Sequence, residues 1–306
     1  MNILPRDKQI EIIAALTEGV GIRATARLVG VNRETVGKLA LQVGNGCAEL
    51  HDRRMVGIRT GRLELDELWA FVGKKQRRTR AHETEKGDQY TFIALASTSR
   101  AIVAYRSGKR NSVTTDDFVQ DLRQRVLGAP EISTDGYHPY KASIRDAFRN
   151  SAHGVIVKTV AVTDLRQSAA HRYSPAEVVA VSREAIRGVP MAISTSYVER
   201  SNLSLRMASR RFTRLTNGFS KKLENHAAAI SLYVAHYNWC RVHESLSDGR
   251  RQSTPAMALG ITDHVWSIGE LLDAALAIPP PAPIETAPDR RRRFRVIQGG
   301  LKKSQS

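Results

Sequence analysis

The sequence predicts an α/β protein in which a mixed-sheet domain follows an all-helical N-terminal segment. Three observations carry that reading. The first 45 residues fall into three short stretches of helical periodicity broken by glycines. Three apolar runs of strand character then follow one another closely, at Arg62–Val72, Tyr90–Ala96 and Ala101–Tyr105. Beyond them, helical and strand-like segments alternate, which is the pattern of helices laid on a sheet.

The N-terminal helices are expected at Arg6–Glu18, Ile22–Val29 and Arg33–Val43. In the third, Val36, Leu39, Ala40 and Val43 share one stripe, and Asn32 is placed to cap it after the Gly30-Val31 turn. This is a helix-turn-helix signature, with small Ala26 allowing close helix crossing. The opposite face of the third helix carries Arg33, Glu34, Lys38 and Gln42, and Arg33, Lys38 and Gln42 are its candidates for reading DNA.

In the first strand, Glu64 and Asp66 alternate with Leu63, Leu65 and Leu68, which predicts that Asp66 points to a polar face and Glu67, in a supporting role, to the other. Lys74–Asp88 is polar and basic and reads as an exposed hairpin arm, either a phosphate-holding arm or a solvated loop. Ser97-Thr98-Ser99-Arg100 turns the chain into the third strand. A helix is expected over Thr114–Val126, capped by Thr114 or Thr115, with Asp116 and Asp117 offsetting its dipole. The strand Glu131–Thr134 delivers Asp135 at its carboxyl end, where such sheets open into a crevice. A helix at Tyr137–Arg149 and a strand at Gly154–Val162 follow, and Thr163–Ile193 gives no firm element. Ser194, Thr195 and Ser196 are candidate caps for a helix from Tyr197 to at least Arg211, whose one face carries Glu199, Asn202, Arg206 and Arg210. Lys221–Asn238 is a long core helix in which His226 and His236 read as packing residues. Five prolines and the Arg290–Arg293 run mark Ala277–Ser306 as a disordered basic tail.

With 47 Lys plus Arg against 30 Asp plus Glu, the formal charge is +17, and nucleic acid is the first partner it implies. No segment approaches the ~20 apolar residues of a spanning helix, so the expectation is a soluble cytoplasmic protein associated with the nucleoid. Cys47 and Cys240 alone supply neither a disulfide framework nor a four-cysteine zinc site.

Asp66, Asp135 and Glu199 lie in three separate segments, and together they form a candidate carboxylate triad for divalent metal. Asp164 is the rival third carboxylate, and Tyr197 and His243 are candidates to line the site. A guanidinium two turns after Glu199, at Arg206, suits a phosphate clamp, and Arg210 extends it.

The segments DELWAFVGKK, STDGYHPY, HRYSPAEVV, STSYVERSNLSLRMASRRFTRLTNGFSKKLENH, YNWCRVHESL and TPAMALGITDHVW occur in order between Arg62 and Ser267. Through them the chain resembles bacterial DDE transposases of the insertion sequence one group. The resemblance implies a ribonuclease-H-like catalytic domain over residues 62–276, after a helix-turn-helix domain at 1–45 and a linker at 46–61, with the tail at 277–306. It also implies the roles of Asp66, Asp135 and Glu199 as metal-binding catalytic residues, with Arg206 as the basic residue that accompanies the glutamate. The cysteine-rich zinc segment often found at the N-terminus of that group is missing here.

The expected chemistry is cleavage at element ends followed by transesterification into target DNA, without ATP and without a covalent protein–DNA intermediate. Two Mg2+ ions, replaceable by Mn2+, would neutralise the converging carboxylates. The expected partners are double-stranded terminal repeats and target DNA, with a homo-oligomer assembled on them. The alternatives are a catalytically inactive DNA-binding regulator on the same scaffold and, last, a structure-specific nuclease.

Overall fold

The computed structural model describes residues 4–160, 178–212, 217–249 and 251–277. The chain starts with helices α1 (Arg6–Thr17), α2 (Ile22–Val29) and α3 (Arg33–Arg54). Gly30 ends α2 in the left-handed region at φ 72°, and Asn32 caps α3 by accepting the Glu34 N–H at 2.8 Å. α3 is twice the expected length and occupies most of the segment read as a linker at 46–61. The glycines that suggested an end at Val43 serve close packing instead. A Cβ on Gly44 would stand 2.3 Å from the Ala228 carbonyl oxygen, and one on Gly46 would stand 2.1 Å from that of Ala275. Bare backbone there lets α3 press against α7 (Leu223–Ala235) and α9 (Ile268–Leu276). Val36, Leu39, Val43, Cys47 and Leu50 therefore belong to the same apolar core as Trp239 and Leu271.

The sheet is built from β2 (Arg62–Val72), β3 (Gly87–Ala96), β4 (Ile102–Gly108), β6 (Glu131–Asp135), β7 (His153–Val160) and β8 (Val178–Arg187), in the order β4-β3-β2-β6-β7-β8. β2, β3 and β4 run antiparallel as a meander, β6 and β7 run parallel to β2, and β8 returns antiparallel. β1 (Ile58–Arg59) and β5 (Val126–Leu127) form a small parallel pair of their own. α4 (Ser112–Arg125) and α5 (Pro139–Ala147) connect the meander to the parallel strands. This mixed six-stranded sheet with helices on it is compatible with a ribonuclease-H-like fold.

Both faces of the sheet's central strands are covered. Leu63, Leu65, Phe92 and Ile132 pack with Phe118, Tyr140 and the N-terminal helices, while Leu68, Ala70, Ile93 and Leu95 pack with Val198 and Leu205 of α6 (Ser196–Ala208) and with α7. The Asp66 face of β2 is thus a buried face under α6, and the polar face expected from alternation does not exist. A strand buried on both sides loses the alternation that exposes its orientation.

Other elements differ in detail. β8 occupies part of the stretch left without an element, and its two faces are largely exposed. Asn111, one turn ahead of the expected threonines, caps α4 by accepting the Thr114 N–H at 2.9 Å. α6 ends at Ala208 because Ser209 is extended, and the chain then makes a short 3-10 turn, Arg210–Phe212, that buries Phe212. α7 stops at Ala235 and passes into a π-helical turn, His236–Cys240, pinned by Asn238, whose amide bonds both the N–H and the carbonyl of Ile102. α8 (Pro255–Ala258) is a single capped turn before α9. The expected basic tail beyond Ala277 and the rival carboxylate Asp164 lie outside the described residues. No described helix is long and apolar enough to cross a membrane.

Candidate metal centre

Strand register brings the two aspartates together. Parallel pairing of β2 with β6 aligns Leu65 with Thr134 as its last pair, so the next residue on each strand, Asp66 and Asp135, stand side by side on one face. Asp135 is the last residue of β6, and its Oδ1 accepts the Tyr137 N–H at 3.0 Å, while its Oδ2 lies 3.8 Å from Arg110 Nη2. Burial and the neighbouring Asp135 raise Asp66 to about 6, and burial raises Asp135 as well.

Glu67 joins them from the other face. Its carboxylate offers an oxygen within 4.8 Å of those of Asp66 and Asp135, although alternation points it toward α5. The site lies past the end of the β2–β6 ladder, where a long side chain can reach around the strand edge. Burial, followed by the charge of Asp135, raises Glu67 to about 8. Three carboxylates that resist ionisation together are a site short of positive charge.

α6 is fastened to β2 by a second acidic residue that sequence reasoning passed over. Glu64, fully buried, accepts the N–H groups of Tyr197 and Val198 at 2.8 and 3.1 Å and the Ser97 hydroxyl at 3.1 Å. It thereby satisfies the first turn of α6 in place of the expected Ser194, Thr195 or Ser196 caps. Thr195 instead donates to Glu199 at 2.6 Å. The signal was present, because Glu64 shares Asp66's face two residues earlier. Two turns of α6 then meet the site: Asn202 donates to Asp66 Oδ2 at 2.8 Å, and its own Oδ1 is buried with no hydrogen-bond partner.

Glu199 is close enough to act electrostatically on Asp66 and Asp135, but its carboxylate is held by Lys158 of β7 at 2.5 Å and stands outside the tight cluster. The acidic group that the structure gathers is thus Asp66, Glu67 and Asp135, with Glu199 at its margin. Arg206 is exposed on α6, whereas Arg210 falls in the 3-10 turn and leaves the helical face it was expected to extend. Tyr197 carries the Arg100 guanidinium 3.3 Å from its ring centre, and His243 packs edge-on against Tyr237 at 4.6 Å. These contacts are with aromatic and basic neighbours rather than with the carboxylates. His226 bonds Ser220 at 2.9 Å and is buried.

The donor set suits a hard divalent cation: it is all oxygen, it is short of positive charge, and it includes an orphaned buried amide oxygen beside Asp66. At the far end of the chain, Arg33, Lys38 and Gln42 are exposed on the N-terminal half of α3, and Arg23, Arg27 and Arg33 line a hollow of about 390 Å³ between α2 and α3.

No family model matches the chain, and no curated protein matches it. Among solved structures it is similar to the crystal structure of the Mos1 strand transfer complex, at 13% identity over 78% of each chain with a TM-score of 0.22. A likeness that weak carries no argument.

Proposed function

We propose that the chain is a DNA transposase that cleaves element ends and joins them to target DNA, with Asp66, Asp135 and Glu199 as its catalytic carboxylates. The observation that carries the reading is the adjacent pair Asp66–Asp135 where β6 ends alongside the middle of β2, beneath a helix that presents Glu199, Asn202 and Arg206.

Asp66, Asp135 and Glu199, with Glu67 alongside, would hold two Mg2+ ions or Mn2+ in their place. Bound there, such ions supply Lewis-acid activation of the attacking and leaving oxygens of an in-line displacement. The chain's own residues do the remaining work. Asn202 fixes the Asp66 carboxylate by donating to Oδ2, so that Oδ1 keeps its direction. The Tyr137 N–H does the same for Asp135. Glu64 holds α6 at the strand, and Arg206 stands one turn beyond Asn202 as a guanidinium for a phosphate oxygen. None of these residues is a nucleophile aimed at phosphorus, which favours direct attack by water or a DNA hydroxyl.

Duplex DNA binds across the +17 surface, with α3 entering a major groove through Arg33, Lys38 and Gln42. Arg210, beyond α6, contacts the backbone. Joining two ends calls for a homo-oligomer assembled on DNA, in the cytoplasm at the nucleoid. The test is a denaturing-gel assay on duplex spanning the ends that bound the coding sequence. The reading expects Mg2+-dependent nicks with free 3'-hydroxyls and no protein-linked DNA; a trapped phosphotyrosine or phosphoserine adduct would sink it.

A further inference from the structure

Two cations, Arg110 and Lys158, stand inside this acidic site, and each faces a different part of it. Arg110 Nη2 lies 3.6 Å from Glu67 Oε2 and 3.8 Å from Asp135 Oδ2. Its guanidinium is seated 4.0 Å from the ring centre of Tyr137 and 5.8 Å from that of Tyr90. Lys158 Nζ lies 2.5 Å from Glu199 Oε1 and acts on Asp135 electrostatically. Because Lys158 is two residues beyond Ile156, the register partner of Asp135, it rises from the same face of the sheet.

Lys158 is tightly paired with Glu199, whereas Arg110 is not placed as a structural ion pair would be. The Arg110 distances exceed hydrogen-bonding range, so its N–H fork is not consumed by the carboxylates. Both side chains keep substantial exposure, 38% for Arg110 and 41% for Lys158. An arginine held over an aromatic ring with donors left unused by the carboxylates is prepared for phosphate oxygens.

The geometry points to Arg110 and Lys158 as exchangeable counter-cations: they offset part of the charge of the carboxylates, and when divalent ions take that role they become the pair that grips the scissile phosphate. This rests on the reading of the previous subsection.

The two roles have opposite signatures. Mn2+ titration of the full chain without DNA, followed by the electron paramagnetic resonance of free Mn2+ at about pH 8, reads the first. Lys158→Met and Arg110→Met should each bind Mn2+ roughly tenfold more tightly than the parent, because a competing charge has gone. Single-turnover nicking at saturating Mn2+ should fall about tenfold or more in both, with unaltered thermal midpoints. Mn2+ binding that is unchanged or weaker in both variants would overturn the inference, as would nicking at the parent rate. Asp66→Asn is the separate control. If it leaves Mn2+ binding intact, the metal-centre reading fails; if it abolishes binding while the two cation variants behave as the parent, only the counter-cation inference fails.

Discussion

Replacing Glu67 with glutamine removes one ionisable carboxyl from the cluster at nearly constant volume, and its effect on stability can be worked out in advance. The Glu67 side chain is 3% exposed, and burial with the Asp135 charge raises it from 4.5 to about 8. Its folded value lies above the unfolded one, so the neutral form is the one the fold favours. That contribution is complete below the unfolded value and is lost as pH rises through about 8. At about 1.4 kcal/mol per unit, the stability of the metal-free parent should fall relative to Glu67→Gln by about 3 kcal/mol between about pH 5.5 and about pH 8.5. Urea unfolding of parent and variant in a chelator, at both pH values, measures it as a difference of differences. Mg2+ added at the higher pH should stabilise the parent more than the variant, since binding to the folded state is linked to its stability. A gap that stays constant with pH would refute the reasoning, because Glu67 would then titrate as an ordinary exposed carboxyl.

The other predictions concern how the site is held and approached. Glu64→Ala should cost at least about 2 kcal/mol by leaving buried N–H donors unmatched, and should abolish nicking, whereas Glu64→Gln should recover most of the stability; urea unfolding beside the nicking assay separates them. Gly44→Ala forces a Cβ against the Ala228 carbonyl and should destabilise by about 1–3 kcal/mol in the same unfolding assay. Arg33→Ala and Lys38→Ala should each weaken duplex binding and reduce its log–log salt slope by about one, read by fluorescence anisotropy over a salt series. Burial and Asp135 hold Asp66 at about 6, so metal-dependent nicking should rise through that pH as Asp66 ionises, and an activity flat from about pH 5 to about pH 8 would contradict that assignment.

How far the sequence could be read depended on what each residue type was needed for. The meander, β6 with Asp135 at its end, and the Asn32 cap follow from local alternation and turn chemistry, and they stand where those signals put them. The full length of α3 was hidden because Gly44 and Gly46 look like breaks, and only the closeness of Ala228 and Ala275 reveals their use. β8 has exposed valines on both faces and so no alternation to read. Within the site, each carboxylate was visible as a residue, but their grouping was not. Glu67 reaches the cluster because the β2–β6 ladder stops at Leu65 and Thr134, and Glu64 caps a helix more than a hundred positions away. Arg110 and Lys158 carry no local mark of their place, since a basic residue in so basic a chain is unremarkable until tertiary contacts are known.

The central claim is that Asp66 and Asp135 form the working core of a DNA-joining site. Joining of element-end duplex to a target plasmid by the purified chain in Mg2+, with the parent compared to Asp66→Asn, tests it most directly. The account predicts plasmid-joined product from the parent, none from the variant, and equal binding of the end duplex by both. Joining by Asp66→Asn at the parent level would contradict it, and so would tight end binding by a parent that yields neither nicks nor joined product.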